Sequence, residues 1–485
     1  MKYINYLLIA LLIGFVASCS SGDDEGPVGP EGPEQPGGGG QTSSGMPKKE
    51  LRGVWMATVW GIDWPQDKYD AFSQKKLYTD YLDLMKSCNM NAVFFQIRGM
   101  ADAFYESQYE PWSKNITGQA GVKPTYDLMN FLIEEAHKRD IQFHAWINPY
   151  RIATRGSASQ GFPVLDKKIP AEWTKDYNKI RIYNPALPEV QQRIVDIVKE
   201  ILSKYDVDGI HMDDYFYPAL ESGEQMKDEE EYKKYGSGFK SIDDFRRNNE
   251  NVVIQNIQKA VKETKPDVVF SVSPASDFNN NYHRLFADAK TWAEKGWVDV
   301  MIPQLYHLTG TTETSFNLRL NLWSQYTYDN HLLVGYGIYK FGDKQYGTHY
   351  QNSDDLKRQF DYARTKSKVE GGVHFSAKDL KANNVGVSDV IRKEYKKKVL
   401  PPYLGLGKAQ LPEAPNDLRL NNGKMTWSAV GGAVKYAIYK SNGKEYELLD
   451  VVKETSYDMG QKGTFVVTAV SKVNAESLPS NSVSR

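Results

Sequence analysis

From Leu51 onward the chain repeats one unit eight times: a short apolar run, a polar loop, then an amphipathic helical pattern. That repetition restricts the fold more than any single motif, because strands joined through helices pair in parallel and bury both faces. The predicted strands cover residues 51–59, 92–98, 142–148, 209–215, 268–274, 298–306, 332–339 and 372–377. Helical patterns fall between and after them, at 73–87, 126–139, 188–204, 242–264, 283–295, 313–328, 353–368 and 378–398. In the second of these, Leu128, Phe131, Leu132 and Ala136 recur at helical spacing. Eight alternations over roughly 350 residues predict an α/β fold, a (β/α)8 TIM barrel rather than an open doubly wound sheet. No Gly-x-Gly-x-x-Gly follows the first strand, which counts against a dinucleotide-binding fold.

Barrel enzymes build their sites at the carboxyl ends of the strands. The loops expected on that face after strands two, three and four are long, at 99–125, 150–187 and 216–241, and are expected to wall a cleft. The fourth strand runs Asp208-Gly209-Ile210-His211-Met212-Asp213-Asp214-Tyr215-Phe216-Tyr217-Pro218. Side chains alternate across a strand, so Ile210 and Met212 suit the helix layer while Gly209, His211 and Asp213 share the interior. The same parity groups Phe94, Gln96 and Arg98; His144, Trp146 and Asn148; Ser271 and Ser273; Gln304 and Tyr306; and His374 and Ser376. Taking the more polar set as interior in each case gives a substrate-binding floor instead of the branched aliphatics of a structural barrel.

Hydrolysis of a glycosidic bond asks for two carboxyl groups, one as acid and one as nucleophile or base. Asp213 is the carboxylate that parity places in the lumen and is expected to be the nucleophile or base. The general acid is expected to be Asp214, if the strand ends there and the side chain turns inward, or Asp102 from the loop after strand two. Asp63 and Asp277 are weaker candidates. Gln96, Arg98, His144, Trp146, Asn148, Tyr215, Ser273, Gln304 and Tyr306 are expected to contact substrate. The 31 Tyr and 10 Trp suit sugars, whose flat C–H faces pack on rings, although core packing uses aromatics equally. A net charge of −1 without a Lys/Arg block gives no field for nucleic acid.

Arg52-Gly53-Val54-Trp55, Gln96-Ile97-Arg98, His144-Ala145-Trp146-Ile147-Asn148-Pro149-Tyr150-Arg151, Gly209-Ile210-His211-Met212-Asp213-Asp214-Tyr215 and Pro303-Gln304-Leu305-Tyr306 together resemble the bacterial glycosyl-hydrolase-like family 10 barrels, which are distinct from the xylanases of the same number. The resemblance spans about Leu51 to Leu400. It implies a (β/α)8 glycoside hydrolase of the cell envelope, with glycan strands such as peptidoglycan as substrate and no cofactor. The α-amylase pattern places its nucleophile at Asp213, but its strand-five Glu has no counterpart in Ser271-Val272-Ser273-Pro274. The chitinase pattern puts its catalytic Glu at Tyr215, which argues against that chemistry. Two rival readings are a non-catalytic surface glycan-binding lipoprotein and a metal-dependent hydrolase using His144, His211, His374 and Asp213.

Residues 1–18 read as a signal peptide, with Lys2 followed by an apolar run from Leu7 to Val16 that is too short to span a bilayer. Val16-Ala17-Ser18-Cys19 resembles a lipobox, implying a lipidated Cys19 and an outer-membrane lipoprotein facing the periplasm or the exterior. Residues 19–46, rich in Gly, Pro and acid, are expected to be a flexible tether. Cys88 is the one other cysteine, so no disulfide or Cys-based metal site is proposed. The barrel is expected to occupy 47–402. Beyond it, 413–485 carries short alternating runs separated by turns such as Asn421-Asn422-Gly423. Trp427-Ser428-Ala429-Val430, Tyr436-Ala437-Ile438-Tyr439-Lys440 and Val467-Thr468-Ala469-Val470 resemble a fibronectin type III domain, a spacer or accessory sugar-binding module.

Overall fold

The computed structural model describes residues 45–485; the predicted signal peptide, Cys19 and nearly all of the tether lie outside the described residues. Eight parallel strands close into a barrel in chain order: β1 (Leu51–Met56), β2 (Ala92–Arg98), β3 (Gln142–Ile147), β4 (Gly209–Met212), β5 (Val269–Val272), β6 (Val300–Met301), β7 (His331–Tyr336) and β8 (Val369–Phe375). β8 pairs back onto β1, with Val54 opposite His374. The main helices are α1 (Ala71–Ser87), α2 (Leu128–His137), α3 (Pro188–Lys204), α4 (Ile242–Thr264), α5 (Ala289–Glu294), α6 (Phe316–Gln325), α7 (Asp354–Arg364) and α8 (Val387–Glu394).

The (β/α)8 fold is therefore the one expected, and its cause is visible in two separate apolar layers. Val54, Phe95, Phe143, Ile210 and Phe270 point outward and pack under the helices with residues such as Ile194, Val198 and Ile201 of α3. A smaller cluster built on Trp55, Phe94, Trp146, Val300, Leu333 and Val373 fills the lumen. Helix starts are fixed by side-chain caps: Asp70, Asp127, Ser241 and Asp288 each accept a backbone N–H three residues on. The last predicted helix is divided, because Asn383, Val385 and Gly386 all adopt positive φ between Ala377–Ala382 and α8.

Two interior assignments need correction. In β8 the interior residues are Val373 and Phe375, which join or pack on the lumen cluster, while His374 faces the helices. His374 stacks on Tyr336 with ring centroids 4.9 Å apart and shares a 3.0 Å hydrogen bond with the Tyr395 hydroxyl. A partner supplied from beyond α8 lets a polar residue sit on the covered face. In β2 the register against β3 slips between Gln96 and Arg98, so Arg98 lies opposite the outward-facing Ile147. A bulge of this kind re-aims the side chains beyond it.

The long loop after β3 carries a small antiparallel sheet of Arg151–Thr154, Thr174–Asp176 and Ile180–Tyr183. After the barrel come two antiparallel sheets. One orders Arg419–Asn421, Lys424–Thr426 and Ser456–Asp458; the other orders Tyr446–Val452, Ala433–Ser441, Thr464–Ser471 and Val483–Ser484. Ile438, Phe465 and Val467 of the second sheet pack with Met425 and Trp427 in one core. This all-β unit accords with the fibronectin type III-like sandwich expected. Its Lys435 and Lys472 reach Asp140 and Asp206, just before β3 and β4, at 2.8 and 3.0 Å. The sandwich therefore sits at the amino-terminal end of the barrel, opposite the carboxyl ends of the strands.

Candidate active site

At the carboxyl-terminal mouth of the barrel lies a cleft of about 750 Å³, including solvent at its opening. Aromatic residues contributed by several loops and strands line it: Trp55, Trp60, Trp146, Tyr215, Tyr306, Tyr339 and Phe375. Two consecutive carboxylates, Asp213 and Asp214, follow directly on the end of β4.

Asp213 is 3% exposed and held at both oxygens. Trp146 Nε1 donates to Oδ2 at 3.0 Å, and Asn148 Nδ2 donates to Oδ1 at 3.1 Å. Asn148 is itself locked, its own Oδ1 accepting the Arg151 backbone N–H at 2.9 Å. Burial pushes the Asp213 carboxyl up to about 7, and neighbouring Asp214 adds to the rise; Arg151 and the two donors oppose it. Asp214, where the chain leaves the extended strand, is half-buried and accepts from Gln304 Nε2 at 2.9 Å. Burial raises its carboxyl as well, with Gln304 opposing. Two neighbouring carboxyls with raised affinity for protons can share one proton, the condition under which one serves as acid and the other as base.

The floor is organised from below by His211. Trp55 Nε1 donates to His211 Nε2 at 2.9 Å, and Nδ1 lies 2.8 Å from Ser271 Oγ. The network assigns the proton to Nδ1, leaving a neutral ring that burial holds well below its usual protonation range. Gln96 accepts the backbone N–H groups of Thr58 and Val59 at 3.1 and 2.9 Å, fixing the loop after β1. Its Nε2 is buried without a hydrogen-bond partner at the cleft wall. An orphaned buried donor of this kind calls for an explanation, and a bound hydroxyl would supply it.

Of the residues expected from the sequence, Asp213, Asp214, Gln96, Trp146, Tyr215, Ser273, Gln304 and Tyr306 come together at the cleft. Asn148 lies behind Asp213 and acts through it. Three others lie away from the cleft lining. His144 sits lower in the lumen, stacked on Phe94 at 4.4 Å, and Gly209 makes room for it; a Cβ at Gly209 would lie 2.1 Å from His144 Nδ1. Arg98 is fully buried and paired with Glu110, its Nε donating to Oε2 at 2.6 Å. Asp102 is bonded to Ser113, with burial raising its carboxyl. Asp63 belongs to the scaffold, accepting from Ala57 N, Ser376 Oγ and Lys378 N at 2.7, 2.7 and 2.9 Å. The four residues of the metal reading do not converge, since His374 is on the outer face of β8. Among the described residues no group of three His, Cys, Asp or Glu is placed to hold an ion.

Sequence reasoning did not select Trp55, Trp60, Arg151, Tyr339 or Phe375 as site residues. Trp55 and Arg151 are the two with a signal, each standing in a motif that carries the family resemblance, Arg151 three residues beyond Asn148. The Arg151 guanidinium lies 4.5 Å over the Tyr215 ring and its Nε donates to Gly99 O at 2.9 Å.

An eight-stranded parallel barrel with an acid pair in an aromatic cleft at its carboxyl face has the architecture of a glycosyl hydrolase. The chain belongs to the Glycosyl hydrolase-like 10 family, which matches residues 50–350. It is 33% identical over 473 residues to Glycosyl hydrolase YngK of Bacillus subtilis (strain 168), covering 88% of this chain and 92% of that protein. It is 32% identical over 370 residues to Glycosyl hydrolase DigH of Escherichia coli (strain K12), covering 70% of this chain and 83% of that protein.

Proposed function

We propose that this protein is an O-glycoside hydrolase that cleaves glycan strands, with peptidoglycan the favoured class, as a lipid-anchored envelope protein. The observation that carries this reading is the Asp213–Asp214 pair, raised by burial and aimed into a ring-lined cleft. Asp213, fixed by Trp146 and Asn148, is the base or nucleophile. Asp214, nearer the solvent and steadied by Gln304, is the acid that protonates the leaving oxygen. Tyr306, Trp55 and Phe375 pack on the sugar face, and Gln96 Nε2 donates to a sugar hydroxyl.

The test is reducing-end release from peptidoglycan glycan strands and a polysaccharide panel by wild type and Asp213→Asn. The expected result is turnover by wild type and a loss in kcat of about 10²–10⁴ in the variant, with binding retained. Binding without turnover by both proteins would sink the hydrolase and favour a glycan-binding protein. The anchor is tested separately: Cys19→Ser should move the protein from the membrane fraction to the soluble one, and unchanged fractionation would refute lipidation.

A further inference from the structure

We propose that the cleft takes a 2-acetamido sugar and that the acetamide carbonyl of the substrate, rather than an enzyme carboxylate, attacks the anomeric carbon. This deepens the hydrolase reading above and rests on it.

The argument begins with where the carboxylates are. A double displacement through an enzyme carboxylate sets acid and nucleophile about 5–5.5 Å apart on opposite sides of the scissile bond, and direct attack by water sets them about 6.5–9.5 Å apart. Among the described residues lining the cleft, the carboxylates are Asp213 and Asp214 alone. They are consecutive at the end of one strand, so both approach from the β4 wall. Facing them are Trp55 of β1 and Phe375 of β8, with Tyr306 and Tyr339 from the loops after β6 and β7. Of the other buried acids near this end, Asp63 is committed to backbone N–H groups and Ser376, Glu110 to Arg98, and Asp102 to Ser113, while Glu250 of α4, buried against Tyr150, lies outside the cleft lining. Nor do the tyrosines fill the gap, because burial pushes Tyr215 up to about 12 and holds Tyr306 well above the usual phenol range, keeping both phenols protonated.

An N-acetyl group brings one N–H, one carbonyl oxygen and one methyl. Two of these parts have counterparts in the cleft: Asp213 is an acceptor for the N–H, while Trp55, Ala57 and Phe375 on the facing wall are apolar surface for the methyl. The buried, unpartnered Gln96 Nε2 on the same wall supplies a donor to the ring.

In the first step the acetamide oxygen bonds to C1 and the C1–O glycosidic bond breaks. Its electron pair passes to the leaving oxygen, which takes the proton of Asp214. The acetamide N–H proton passes to Asp213, leaving a neutral bicyclic oxazoline. In the second step Asp214, now ionised, takes a proton from water as the water oxygen bonds to C1. The C1–O bond of the oxazoline breaks, and the nitrogen recovers its proton from Asp213. Water is consumed, both carboxyls return to their starting states, and two displacements retain the anomeric configuration.

The experiment uses the full-length protein and polymeric glycan strands in four forms: N-acetylated, N-deacetylated, and re-acylated with difluoroacetyl or trifluoroacetyl groups. Fluorine weakens the carbonyl oxygen as a nucleophile while altering the shape little. The expected result is retained configuration in the first product and kcat/KM falling by about 10-fold or more across the acyl series. The deacetylated strand should not be cleaved, and a thiazoline analogue of the bicyclic intermediate should inhibit wild type but lose affinity for Asp213→Asn. Inversion, or equal cleavage of all four strands, would overturn the acetamide proposal and leave the hydrolase standing. Absence of turnover on every strand would overturn both.

Discussion

At the level of single residues, the site is defined by a carboxylate that the fold buries at a cost. Asp213 is raised to about 7 in the folded chain, chiefly by burial, against about 3.9 for a free aspartate. Between those values the folded state holds a proton that the unfolded chain has released, shared within the Asp213–Asp214 pair so that Asp214 can carry it when the reaction begins. The stability associated with that proton is fully present below about pH 4 and is lost as pH rises through about 7. Asp213→Asn removes the titration, so its melting temperature relative to wild type should climb from about pH 4 to about pH 7 and level off above that. Thermal melts of both proteins across that range check this, and a difference independent of pH would mean that Asp213 does not titrate as described. A variant that loses activity while gaining relative stability is the expected signature of a residue kept for chemistry. Asp213 itself was legible in the sequence because a strand-four acid is placed inward by parity. Trp55 was not, because in β1 Val54 and Met56 beneath the helices are as apolar as the lumen residues and alternation carries no contrast; Phe375 was not, because in β8 the polar His374 lies on the covered face and the contrast points the wrong way.

Elements show where reading by polarity stops working. The rule that the more polar face of a strand points inward holds in β3, β4 and β5, where His144, His211 and Ser271 do face the lumen. It fails at the end of β2, where the bulge after Gln96 turns Arg98 outward, and in β8, where Tyr395 satisfies His374 on the covered face. Neither cause is local: a register slip depends on the neighbouring strand, and a hydrogen-bond partner can come from a helix twenty residues away. The Arg98 assignment has its own check. Both side chains of the Arg98–Glu110 pair are fully buried, so breaking it leaves an uncompensated guanidinium inside the protein. Glu110→Gln should lower the free energy of unfolding by about 3–5 kcal/mol in urea titration while leaving KM unchanged wherever the variant is folded. A raised KM with unchanged stability would return Arg98 to the substrate.

Over the whole molecule, the cleft and the sandwich lie at opposite ends of the barrel. The cleft opens at the carboxyl-terminal face, whereas the sandwich contacts the turns entering β3 and β4 through Lys435–Asp140 and Lys472–Asp206. Apolar contact continues there, with Leu400 at the end of the barrel and Met46 packing with Tyr439, Leu448 and Val466 of the sandwich. The chain entering the barrel and the chain leaving it thus meet on the face away from the cleft. The two ion pairs hold this arrangement only weakly, since partly exposed pairs are worth about 0–1 kcal/mol each. The double variant Lys435→Glu, Lys472→Glu should therefore loosen the sandwich, read as faster proteolysis between residues 402 and 418. Its kcat/KM on short soluble glycans should stay within about 2-fold of wild type, because no sandwich residue lines the cleft. A large loss on short substrates would mean that the sandwich reaches the reacting sugar, which the placement of its contacts at the amino-terminal face does not allow.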